Sequence, residues 1–112
     1  MALFDRKIQM YPKGRRQGLG SHISLYLALA DPKAIPSSSK IFAEFTLRML
    51  DQTQGRHISG KASYWFSVSS PENGWAKFVT FVSFYPASNG FLVRDVCVVE
   101  AEVTVLGVTS AI

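Results

Sequence analysis

The sequence holds a single cysteine, Cys97, so no disulfide can form within the chain. A lone thiol suits a reducing compartment, and a cytoplasmic or nuclear location is expected. Histidine is nearly as scarce. His22 and His57, with one thiol, are too few and too poorly spaced for a zinc site, so no metal or cofactor is expected. No apolar run approaches the roughly 20 residues of a membrane span. Asp5 and Arg6 fall where a signal peptide needs its apolar stretch, so neither export nor membrane insertion is expected. Internal repeats, low-complexity tracts and interdomain linkers are also missing, and 112 residues suit one domain with a real core.

Catalytic groupings are missing too. Acidic residues stand singly, apart from Glu100 and Glu102 on one strand face, which is poor ground for glycosidase chemistry. Cys97 falls on an apolar strand face, where a thiol packs as a small hydrophobe. The chain is expected not to be an enzyme.

What is present is alternation. In "SHISLYLALA", Ile23, Leu25, Leu27 and Leu29 face one way and His22, Ser24 and Tyr26 the other. "IFAEFTLRML" repeats this with Ile41, Ala43, Phe45, Leu47 and Met49, and "DVCVVEAEVTVL" with Cys97, Val99, Ala101, Val103 and Val105. Period two marks half-buried strands, not helices. Turn signals separate them ("PKGRRQGLG", "DPKAIPSSS", "DQTQG", "SPENG", "PASNG"), and the whole suggests an antiparallel meander folded into two facing sheets. "KFVTFVSFYP" fits a strand poorly and is compatible with a short helical turn.

The loop "PKGRRQGLG" is followed by a strand, and Gly14, Gly18 and Gly20 do not match a phosphate-binding loop. It reads as a hairpin connection whose glycines supply positive φ and whose Lys13, Arg15 and Arg16 point into water. Charge is lopsided: residues 1–61 carry ten of the twelve Lys and Arg against four acids, and residues 62–112 carry two against four. A nucleic-acid partner is a distant reading of that asymmetry; a solvated face is the plainer one.

Aromatic residues are the richer signal. Tyr26 sits on the outward phase of its strand, Tyr64, Trp65 and Phe66 are consecutive, and Trp75 and Phe78 follow a turn. Outward aromatics either mark a recognition surface or pack under other parts of the chain.

Taken in order, "YPKG", "HISLYLALADP", "AEFTL", "YWF", "GW" and "NGFLVRDVCVVEAEVTVL" resemble the MATH (meprin and TRAF homology) domain, a TRAF-like β-sandwich. The likeness is closest to plant members and runs from about Ile8 to Leu106. It implies an eight-stranded antiparallel sandwich that binds short linear peptides in a shallow aromatic groove. On this sequence the groove would be Tyr26 of "SLYL", Phe45 of "AEF", Tyr64 of "YWF", and Trp75 and Phe78 of "GWAKF". Lys77 is an extra residue in that last motif, and alternation makes Phe45 either a pocket floor or simply core. Only "MALFDRKIQM" precedes "YPKG", where the family carries about two further strands. The expectation is therefore a single shortened domain over 1–112, with six or so strands and a sheet edge short of partners. Its expected role is to bind short peptide motifs of partner proteins, as a substrate-recognition or adaptor domain in ubiquitin-linked pathways. The alternative is a self-associating module that completes its sandwich as a homo-oligomer.

Overall fold

The computed structural model describes residues 5–109 as two facing three-stranded antiparallel sheets. One has the order β1 (Arg6–Tyr11), β2 (His22–Leu29), β5 (Glu72–Thr80). The other has the order β4 (Ile58–Phe66), β3 (Lys40–Met49), β6 (Val99–Thr109). The expected all-β sandwich is present, but its connectivity is more crossed than a meander. β1–β2 and β3–β4 are hairpin pairs, after which β5 returns to the first sheet and β6 to the second. β2 packs on β3 and β5 on β4, which leaves β1 and β6 as the edges of the opposite side.

Alternation builds the core as expected. Leu25, Leu27 and Leu29 meet Ile41, Ala43, Phe45, Leu47 and Phe66 across the sandwich. Each large side chain so buried contributes about 1.5–3 kcal/mol relative to exposure. A second cluster, Ile23, Met49, Val79, Phe84 and Phe91, fills one end.

Three local differences from the sequence reading have physical causes. "KFVTFVSFYP" is both strand and helix: β5 runs to Thr80, whose hydroxyl accepts the Ser83 N–H and caps a single turn, α1 (Phe81–Phe84). The last strand starts at Val99, four residues beyond Asp95. Arg94 (φ 51°) and Asp95 (φ 63°) are both left-handed, and Val93 and Val96 exchange both backbone hydrogen bonds, so the chain reverses there before the β3 ladder begins. Cys97 consequently lies ahead of β6, half-buried rather than sealed in a strand.

The third difference is that β2 is buried on both faces. The β1–β2 connection folds back over its outer side. Ser24 Oγ accepts the Arg15 N–H and donates to the Ala76 carbonyl, which fastens loop, β2 and β5 together. Gly14 and Gly20 adopt the positive φ expected of them, whereas Gly18 serves close approach: a Cβ there would lie 1.9 Å from the Ala76 oxygen.

The β3–β4 turn is organised by Asp51. Its carboxylate accepts the backbone N–H groups of Thr53, Gln54 and Arg56 and the Thr53 hydroxyl, while its own N–H donates to His57 Nδ1. The Thr53 backbone bond, then that of Gln54, leads in stabilising the anion, and the pKa falls from 3.8 to about 2. A lowered folded-state value stabilises the fold above the unfolded value and loses that contribution as pH falls through the folded one. Chemical unfolding followed from pH 5 down to about 2 is expected to show stability falling across that window, and less steeply in Asp51→Asn. Equal pH slopes for the two proteins would refute the role given to this carboxylate.

Candidate functional site

The side closed by β4 and β5 carries most of the aromatic signal, arranged as two clefts. The first, about 350 Å³, is lined by Arg16, Tyr26, Tyr64 and residues 69–74. The second, about 100 Å³, is lined by Ile58, Ser59, Gly60, Trp75, Lys77 and Phe78. The expected single cluster of Tyr26, Tyr64 and Trp75 is thus divided: Tyr26 and Tyr64 share the first cleft, and Trp75 and Phe78 line the second.

Strand phase places Phe45 and Tyr64, whereas Trp75 and Phe78, three residues apart on β5, come to one side where the β2–β5 register shifts between Ile23 and Leu25. Trp75 and Phe78 have ring centroids 6.0 Å apart, and the indole also packs 5.8 Å from Phe45. Gly60 on β4 makes room for the indole, since a Cβ there would lie 2.7 Å from its ring. Phe45 is only 1% exposed, so it backs Trp75 from within the core. Tyr64 points inward from β4 and is half-buried, 5.0 Å from the Phe66 ring.

Tyr26 takes the outward phase that alternation predicts, yet it is only 3% exposed. Tyr11 meets it edge-on at 5.9 Å, and the Arg15 and Arg16 guanidinium carbons sit 5.2 and 5.8 Å from its ring centre. Glu72 on β5 holds both arginines, at 2.6 Å from Arg15 and 3.5 Å from Arg16. Burial opposes the Arg15 charge, but the hydrogen bond and charge of Glu72 with Tyr11 and Tyr26 outweigh it, so its pKa rises. The arginines expected to point into water therefore form the lid of this tyrosine. Their sequence signal was the Arg15–Arg16 pair itself; the acid that holds it lies far along the chain.

The Tyr26 hydroxyl is buried with no hydrogen-bond partner among the described residues. A buried, unsatisfied hydroxyl costs about 1–3 kcal/mol. Tyr26→Phe is expected to melt a few degrees higher than the parent in thermal denaturation, and an unchanged or lower midpoint would show that the hydroxyl is satisfied in solution.

Other candidate chemistry is modest. Burial raises the Cys97 thiol above its ordinary pKa. Among the described residues no group of three His, Cys, Asp or Glu side chains is placed to hold a metal, and no helix is long and apolar enough to cross a membrane.

The family model for the MATH domain matches residues 4–103. Two Arabidopsis thaliana relatives are each 30% identical. Ubiquitin C-terminal hydrolase 12 aligns over 88% of this chain and 9% of its own length. A MATH domain and coiled-coil domain-containing protein aligns over 91% of this chain and 31% of its own length. The chain thus spans less than a third of these relatives. Among solved structures, Notothenia coriiceps TRAF5 superposes with a TM-score of 0.61 at 22% identity, covering 93% of this chain and 57% of that one, which supports the fold.

Proposed function

The chain belongs to the MATH-domain family, a protein-interaction module of TRAF and ubiquitin-pathway proteins, and from that premise we propose that it binds a short extended peptide of a partner protein along β5. The observation carrying this reading is the pair of aromatic clefts between β4 and β5, one toward each end of β5. β5 ends its sheet, so its outer edge offers backbone groups to an added strand while the clefts take side chains. Residues 72–78 span about 20 Å at about 3.3 Å per residue, room for some six residues of extended peptide. Phe45 acts behind Trp75 as its support, and the nearly buried Tyr26 lines the first cleft beneath Arg16.

The ubiquitin C-terminal hydrolase among the relatives favours a ubiquitin-linked pathway, and in it we assign this domain an adaptor or substrate-recognition role rather than a catalytic one, in the cytoplasm or nucleus. Nucleic acid is disfavoured, because Arg15, Arg16, Arg48 and Lys61 are held by Glu72, Glu100, Glu102 and Glu44. Random-peptide selection on the folded chain is expected to return a motif. Tyr64→Ala should weaken that peptide by about tenfold, as loss of an anchor in a hot spot does, with the fold retained by circular dichroism. Failure to select any motif, or full affinity in the variant, would sink the reading.

A second reading, self-association, is favoured by the other side of the sandwich. Among the described residues β1 pairs only with β2 and β6 only with β3, and core-phase Met10 and Val108 are 37% and 49% exposed. Sedimentation over a range of concentrations should then show association that Val108→Glu abolishes. A concentration-independent monomer melting well above about 65 °C, beyond the usual mesophile range, would exclude it.

A further inference from the structure

On the outer face of the second sheet the exposed residues of β3 and β4 are polar, save at one end. There Phe42 and Trp65 stand directly opposite each other in the ladder with ring centroids 4.8 Å apart, and Trp65 is 45% exposed. Outward neighbours along the same strands are Lys40, Glu44, Thr46, Lys61 and Ser63. The β3 ladder is already paired on both sides, so two facing rings on an otherwise polar, solvated face are more apolar surface than pairing requires. The two rings also wall a third cleft of about 370 Å³, with Lys40 at its rim.

This cleft adjoins the Tyr26–Tyr64 cleft, since Tyr64, Ser69 and Ser70 line both. The chain between β4 and β5 makes the shared wall. Ser67 and Ser70 exchange backbone hydrogen bonds, and the Ser67 hydroxyl lies 3.3 Å from that of Ser69, so the turn is a compact ridge. A peptide leaving the first cleft over this ridge reaches Trp65 on the edge strand β4 and then, beside it on β3, Phe42 and Lys40.

We infer that the partner peptide continues past the β4–β5 edge onto this outer face, placing an apolar ring side chain, proline or aromatic, on Trp65 and Phe42 and an adjacent carboxylate at Lys40. A flat indole beside a half-buried ring suits a ring side chain, which offers large contact area at small entropy cost. The ammonium of Lys40 selects the acid and disfavours a basic residue there. The inference rests on the peptide-binding reading, of which it names the outer end.

Selection of a phage-displayed random dodecapeptide library, run in parallel on the parent chain and on Trp65→Thr, tests it. The parent should yield a core motif flanked at one end by a ring residue next to an acid, and Trp65→Thr the same core without that flank. Lys40→Glu should keep the ring and lose the acid. For a synthetic peptide taken from the parent selection, trimming the flank should weaken binding to the parent by about five- to tenfold, the worth of one aromatic contact, and leave Trp65→Thr nearly unaffected. The indole N–H resonance of Trp65, assigned by its absence in the variant, should shift with the full peptide and not with the trimmed one. Identical motifs from the parent and Trp65→Thr would overturn the inference and leave the β5 reading standing, whereas no motif from either would overturn both. A dimer of the parent that Trp65→Thr converts to monomer in sedimentation would show that a second copy covers the rings, and would equally overturn it.

Discussion

The contact on which the binding side depends is the indole of Trp75 lying where Gly60 has no side chain. It spans from the end strand of one sheet to the end strand of the other, and Phe45 backs it from the central strand. Hydrogen bonds join strands within each sheet, and across the gap between sheets only side-chain packing acts. On this side the Trp75 ring is central to that packing, with Tyr64 and Phe78 beside it. It fixes how far apart β4 and β5 stand, and hence the depth of both clefts between them. Gly74, next along β5, plays a complementary part. A Cβ there would lie 2.3 Å from the Leu25 carbonyl, so its bare backbone lets β5 close onto β2 just where the first cleft begins.

Strand phase was legible in the sequence because period two is a local property. The inward phase of Leu25, Ile41 and Phe45 follows from their neighbours alone, and all three are buried. The resemblance supplied the sandwich but not the strand order, expected as a meander and found crossed, and the alternation of "YWF" required at least one ring outside, which is Trp65. What covers an outward residue is a different kind of fact. Tyr26 has the outward phase, but its burial depends on a loop held by Glu72 and on Ser24 bonded to Ala76, both distant in sequence. Likewise the aromatics expected as one cluster separate because Tyr64 and Trp75, both on the β4–β5 side, line different clefts, a result of register that no periodicity encodes. The early start expected for the last strand failed for the reverse reason. "DVCVV" has strand-like composition, and two left-handed residues, Arg94 and Asp95, turn the chain before it pairs.

The uneven charge of the sequence resolves in the same way. Basic residues gather in its first half and acids predominate in its second, which on a linear reading suggests a cationic surface. The topology instead lays second-half strands beside first-half ones: β5 next to β2, and β6 next to β3. Glu72 thereby reaches Arg15 and Arg16, and Glu100 and Glu102 reach Arg48. Such exposed or half-exposed pairs add little to stability one by one. Their effect lies in placement. Arg15 and Arg16, on a loop that Ser24 also fastens, are drawn down onto Tyr26, so that Arg16 lines the first cleft and a positive charge, partly countered by Glu72, stands beside its mouth. With Lys40 at the rim of the neighbouring cleft, the path from β5 over the serine ridge is bordered by cations at both ends, so an approaching peptide that carries acids is favoured over one that carries bases.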